Sequence, residues 1–221
     1  MMPGRKRRAA KRHRRPSSGH EMPYEGCGRR GGAALRGPWT IMQLDPTQFV
    51  TTPAPGRSCG TCTLCCKVFD VPSLDKPMGQ WCRHCVQGRG CGIHETRPDH
   101  CRAFFCMWMT EGWIGPEWKP DRSKLVLTMN PVTRFLLVQV DPGAPTAWKK
   151  EPYYGQLKRW SQAALAEKRH VVVFINKLAT VILPDRDVPV GIVEAGDRLV
   201  FKERLTPKGP VIDVEKVSAA A

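Results

Sequence analysis

The sequence predicts an α+β protein in three parts: a disordered basic N-terminal arm, a small cysteine-rich module, and an antiparallel β-rich segment with one amphipathic helix. Three observations predict it. Nine of the ten cysteines fall between residues 59 and 106. Residues 122–217 alternate short apolar runs with turn residues, as strands do, around one stretch of helical periodicity. Of a formal net charge of +15, residues 1–41 supply 11 Lys and Arg against 2 Asp and Glu. The chain is 41% hydrophobic and 25% charged, an ordinary globular balance, so most of it has the material for a core. No stretch approaches 18 consecutive apolar residues, so no membrane helix is expected.

The arm comes first. The runs Arg5-Lys6-Arg7-Arg8, Lys11-Arg12 and Arg14-Arg15, followed by the Gly/Arg stretch 26–32, offer little to bury. Such a segment cannot offset its ordering entropy, so residues 1–41 are expected to be disordered. The alternative expectation is that they are upstream sequence and that Met42 serves as a start. Residues 42–121 form the cysteine module, rich in Gly, Pro and turn residues and poor in periodic apolar runs. Within it, Asp99 to about Met109 reads as a short helix, with Pro98 in the first turn and Gly112 as its stop. In residues 122–217, Lys124–Met129 and Arg134–Asp141 read as strands joined by Asn130-Pro131-Val132-Thr133. A helix follows over Pro152 to about Lys168. Its apolar positions, Tyr154, Leu157, Trp160, Ala164 and Leu165, fall on one face, with Lys158, Arg159, Gln162 and Arg169 opposite. His170–Ile175 and Leu178–Leu183 read as a hairpin, Val190–Val193 and Leu199–Leu205 as another, and Val211–Val217 as an edge strand. Strands around one helix suggest an antiparallel sheet.

The cysteines carry the chemistry. The run Cys59-Gly-Thr-Cys62-Thr-Leu-Cys65-Cys66 is followed by Cys82-Arg-His-Cys85, Cys91, Cys101 and Cys106. No apolar segment follows the basic N-terminus as in a secretory signal, so a reducing, cytoplasmic setting is expected, and there dense cysteines point to metal rather than disulfides. The pairs Cys59/Cys62 and Cys82/Cys85 match the spacing of a four-cysteine zinc site. Two cysteines three apart in a tight turn aim both sulfurs at one ion, and a bound cation keeps them deprotonated. Cys59-x2-Cys62-x2-Cys65 also reproduces the start of a ferredoxin-type iron–sulfur run, although Cys66 follows at once where that run continues differently. Soft thiolates suit zinc, copper(I) or iron–sulfur, and spacing does not separate them. Nine cysteines suffice for two four-ligand sites with one over. If residues 98–109 formed one continuous helix, Cys101 and Cys106 would point about 140° apart around its axis and could not easily share an ion. Trp81, Phe104, Phe105 and Trp108 would shield such a centre.

The segments Cys59-x2-Cys62-x2-Cys65-Cys66 and Cys91-Gly-Ile-His94-Glu95-Thr-Arg97-Pro98-x2-Cys101-Arg102 resemble the CxxCxxCC zinc- or iron-chelating family, the YkgJ-type cysteine cluster proteins. The resemblance spans residues 58–107. It implies metal binding by Cys59, Cys62, Cys65, Cys66, Cys85, Cys91 and Cys101, with Cys82 and Cys106 as additions. His94 stands where the family usually has Tyr. The family also includes flagellin lysine methylases, which implies an enzymatic relative without carrying that activity over.

Other chemistry is sparse. His84, His94 and His100 lie in the module, yet nine thiols leave them unneeded as ligands. Arg97 and Arg102 are expected to brace the module through backbone carbonyls or sulfur. The glycine stretches 26–32 and 88–92 do not join a strand to a helix, so no dinucleotide or S-adenosylmethionine fingerprint is read, and no acid–base pair is visible. The leading expectation is therefore a cysteine-rich, metal-organised protein that binds zinc or iron, the latter as an iron–sulfur cluster, with an unassigned protein partner and no membrane role. The alternatives are an iron–sulfur or methyl-transfer enzyme, and, less favoured, a nucleic-acid-binding module that uses the basic arm with zinc as scaffold.

Overall fold

The computed structural model describes residues 52–207 and 209–218. The expectations for residues 1–41, the start at Met42 and Cys27 lie outside them. The described chain is mixed α+β. The cysteine module contributes α1 (Cys65–Val68), β1 (Cys85–Val86), β2 (Gly90–Cys91), α2 (Asp99–Ala103), α3 (Met107–Thr110) and α4 (Pro120–Ser123). A five-stranded sheet follows: β3 (Leu125–Met129), β4 (Leu136–Val140), then after α5 (Tyr153–Leu165), β5 (Val171–Ile175), β6 (Leu178–Ile182) and β7 (Asp187–Ile192), in spatial order β3-β4-β5-β6-β7. A separate two-stranded ribbon, β8 (Arg198–Thr206) and β9 (Gly209–Val217), ends the described chain.

Side-chain alternation explains the layers. Leu125 and Leu127 of β3, Leu136, Val138 and Val140 of β4, and Val171 and Val173 of β5 enter one cluster with Leu157 of α5. The intervening residues, Leu137, Val172 and Phe174, enter a second cluster with Ala179, Val181 and Leu183, against which Leu199, Phe201, Ile212 and Val214 of the β8–β9 ribbon pack. Successive strand residues face opposite sides, so α5 covers one face and the ribbon the other. Val126 of β3, between Leu125 and Leu127, instead meets Leu64, Val68, Cys106 and Met109. That contact seats the cysteine module on the β3 edge. The apolar run 171–175 is buried on both faces, as a central strand requires.

Four expectations are corrected. The sheet is antiparallel except for β4 and β5, which run parallel. The 30 residues between them include α5, enough for a crossover that a hairpin could not supply. Residues 187–192 pair with β6, not with the strand at 198–206, which instead pairs with β9 in an unbroken register. The helix expected from Asp99 to Met109 breaks into α2 and α3, because Phe104 and Cys106 take extended backbone. Arg169, placed opposite the apolar face of the helix, falls beyond its end and is buried. On α5, Ser161 Oγ donates to the Ile182 carbonyl at 2.6 Å and Lys158 Nζ to Leu183 at 2.7 Å, fastening the helix to the end of β6.

His170, at the entrance to β5, sets a pH dependence. It is 5% exposed, stacks on Phe201 with ring centroids 3.6 Å apart, and meets Phe135 edge-on. Its Nδ1 is buried without a hydrogen-bond partner, and burial lowers its pKa from the usual 6.5 to about 4. Between those values the unfolded chain binds the proton and the fold does not. The contribution is therefore complete above pH 6.5 and is lost as pH falls toward 4, with a slope of up to about 1.4 kcal/mol per pH unit. Urea unfolding at pH 4.5 and 7 should show this loss in the wild type and a smaller one in His170→Phe. Equal pH dependence in both would remove His170 as its source.

Candidate metal centre

Local turns shape both Cys-x2-Cys segments. In each Cys-x2-Cys segment the second amide returns to the first carbonyl, Cys62 to Cys59 at 2.8 Å and Cys85 to Cys82 at 3.0 Å. Gly60, with φ of 52°, supplies the left-handed conformation that the first turn needs. The Cys82 amide donates to the Cys66 carbonyl at 3.0 Å, tying the second turn to α1. Cys85 and Cys91 face each other across the β1–β2 pair. All nine cysteines of the module are free thiols; Cys106 is buried, Cys59 is exposed, and the others lie between.

Cys66 stands at the middle of this arrangement. Hydrogen bonds from the Cys65 and Cys85 thiols, with the nearby charges of Lys76 and Arg97, lower it to a pKa of about 6. Cys65 is pushed well up, first because its proton is shared with Cys66 and then by burial. Burial and the Cys66 charge raise Cys85 to about 11, while a hydrogen bond from the Thr63 hydroxyl opposes the rise. Burial raises Cys101, with the charges of Cys66, Cys82 and Cys91 adding to it and Arg97 opposing. Cys106 is raised to about 11 by burial, with the charges of Cys59 and Cys62 contributing. Cys66 is thus shifted down, while Cys65, Cys85, Cys101 and Cys106 are shifted up.

The module also supplies positive charge. Lys76 is 5% exposed, and its Nζ donates to the carbonyls of Lys67, at 2.8 Å, and Phe69. It closes the end of α1 and faces Cys66. Arg97 acts on both Cys66 and Cys101, and its Nε is buried without a partner. Arg102 braces the loop through a 3.1 Å bond to the Arg97 carbonyl. Asp121 adds a carboxylate beside Cys62: one oxygen pairs with Lys119 at 3.0 Å, and the other is buried without a partner. Lys76, Asp121 and Thr63 carry no ligand spacing in the sequence; only the folding of their loops brings them to the sulfurs. His94 and His100 are exposed and His84 is half-buried. Phe104, Phe105 and Trp108 pack around the cluster that contains Cys106.

No family model, curated protein or solved structure matches the chain.

Among the described residues, no three His, Cys, Asp or Glu side chains converge closely enough to hold an ion as they stand. Loading would have to draw the sulfurs closer. The donor set nevertheless fits a soft metal: thiols on two tight turns, a doublet between them, and buried cations near the place where thiolate charge would gather. A four-thiolate site around a divalent ion carries a net charge of about −2, which Arg97, Lys76 and Lys119 would offset. Among the described residues no helix is long and apolar enough to cross a membrane.

Proposed function

We propose that residues 59–106 bind a soft metal through Cys59, Cys62, Cys65, Cys66, Cys82, Cys85, Cys91, Cys101 and Cys106, and that the metal holds this module together in a cytoplasmic protein. Zinc is the first reading and an iron–sulfur cluster the second. The observation that carries the proposal is the folding of the module: both Cys-x2-Cys segments close into tight turns, the Cys82 amide ties the second turn to the Cys65-Cys66 doublet, and all nine thiols are free. Nine free thiols in one module serve no apolar core, and a bound cation would replace their protons. Zinc is preferred because both Cys-x2-Cys segments close into the tight turns of a structural site. The resemblance to the CxxCxxCC family supports the same residues.

The β1–β2 hairpin and the loops around it carry few buried apolar side chains, so metal binding would supply much of their folding free energy. Trypsin cleaves after Arg83, Arg89 and Arg102, all within this region. Metal-loaded protein should resist cleavage there, and a strong chelator should open those sites while fragments containing residues 125–192 survive. Identical cleavage with and without chelator would contradict a metal that organises the module.

A further inference from the structure

We infer that Arg57 is a positioning residue for the metal centre: its guanidinium fastens the chain entering the first cysteine turn to the chain leaving the last cysteine, and so closes the ends of segment 59–106 before any ion arrives. This rests on the reading that the segment binds metal. It does not depend on which thiols share an ion.

The clamp is built from local pieces. The Arg57 amide donates to the Ala54 carbonyl at 3.0 Å, closing a turn over Pro55-Gly56. Gly56, with φ of 75°, takes the left-handed conformation that a Pro-Gly turn of type II needs at its third position. The Ala54 amide donates to the Met109 carbonyl at 2.8 Å, so the turn lies against α3. Arg57 then spreads over the end of that helix. Its Nη1 donates to the carbonyls of Trp108 and of Glu111, the latter at 2.9 Å, and its Nη2 to Gly112 at 2.9 Å and Ile114 at 2.5 Å. The guanidinium also lies over the Trp108 ring, 5.0 Å from its centroid. The last carbonyls of a helix lack partners within it, and a planar fork with five donors can gather several of them. The donors of a lysine radiate from one atom and cannot span four carbonyls.

Both ends of the clamp are short tethers to sulfur. Cys59 follows Arg57 by two positions. Cys106 stands directly ahead of α3, and its carbonyl accepts from the Met109 amide at 2.8 Å. The contact therefore joins the segments of the first and last cysteines, although Arg57 and Trp108 are 51 residues apart in the chain. Closing a loop of that length costs entropy, which an ion gathering the thiols would otherwise have to offset. With the ends already joined by Arg57, the ion has less chain to order.

Zinc affinity of the full-length protein, measured by competition with a chromophoric chelator, should fall at least about tenfold in both Arg57→Lys and Arg57→Ala. Trypsin digestion supplies the second readout. Fragments containing residues 125–192 should survive in the variants as in the wild type, because the side-chain bonds of Arg57 end on residues 108–114. Wild-type affinity in either variant overturns the clamp and leaves metal binding intact; retained affinity in Arg57→Lys alone would assign the effect to charge. Loss of the 125–192 fragments together with affinity would make Arg57 a general structural residue and overturns the inference as well. A wild type that binds no zinc overturns the metal reading, and this inference with it.

Discussion

Cys66→Ser should lower the protein's retention of zinc at least about a hundredfold, measured by competition with a chromophoric chelator, a loss larger than expected from removing a group outside the ligand shell. The serine hydroxyl is the wrong donor for a soft ion and does not ionise near neutral pH. The Cys65 and Cys85 thiols would lose the acceptor they share, and the buried Lys76 would keep its two carbonyls but lose the charge it faces. Removing one partner from a buried charged group leaves the other uncompensated, so the metal-free variant should also be less stable than metal-free wild type. His94→Ala is the control: His94 is exposed and is not one of the nine proposed ligands, so its loss should cost less. Equal losses in both variants would remove Cys66 from the centre of the site.

Leu157→Ala should destabilise the fold by about 3 kcal/mol, within the range for deleting a buried leucine. Leu157 is 0% exposed and lies in one buried cluster with Leu127, Val138 and Val173 of the sheet. The helix is fastened at Ser161 and Lys158, so it cannot settle into the space that the side chain leaves. For a chain of this size the melting temperature should fall by roughly 6–12 °C. Metal stoichiometry should not change, because the module meets the sheet through a different cluster at Val126. Leu205→Ala on β8, where the leucine is 82% exposed, should change stability by no more than about 0.5 kcal/mol. Scanning calorimetry of the two variants separates packing from mere apolar content.

The strands and α5 were legible because their periodicities are strong. The near-continuous apolar runs 125–129, 136–140 and 171–175 follow from a sheet covered on both faces, and Leu157 sits on the predicted helix face. Pairing was less legible. A parallel β4–β5 pair depends on where a crossover delivers the chain, and local pattern does not encode that. The second strand pair differs from its expected pairing for a related reason: Glu194-Ala195-Gly196-Asp197 links two strands, but they join different sheets. In the module, the cysteines themselves were visible, while their grouping was not. Spacing favours the two Cys-x2-Cys segments as one foursome, whereas the structure also ties the second turn to the α1 doublet through the Cys82 amide and breaks the helix between Cys101 and Cys106. The supporting charges Lys76 and Asp121 gave no sequence signal, because a lone Lys or Asp in a loop reads as solvated surface.

The central claim is that these thiols bind metal, and it is tested most directly by elemental analysis of protein purified anaerobically, together with its visible absorption spectrum. The expected result is zinc at one or two equivalents per chain and a colourless solution; iron with matching sulfide and a brown colour would replace zinc by the iron–sulfur reading. Protein that carries no stoichiometric metal, takes none up after reduction, and remains folded with Cys59→Ser and Cys62→Ser would contradict it.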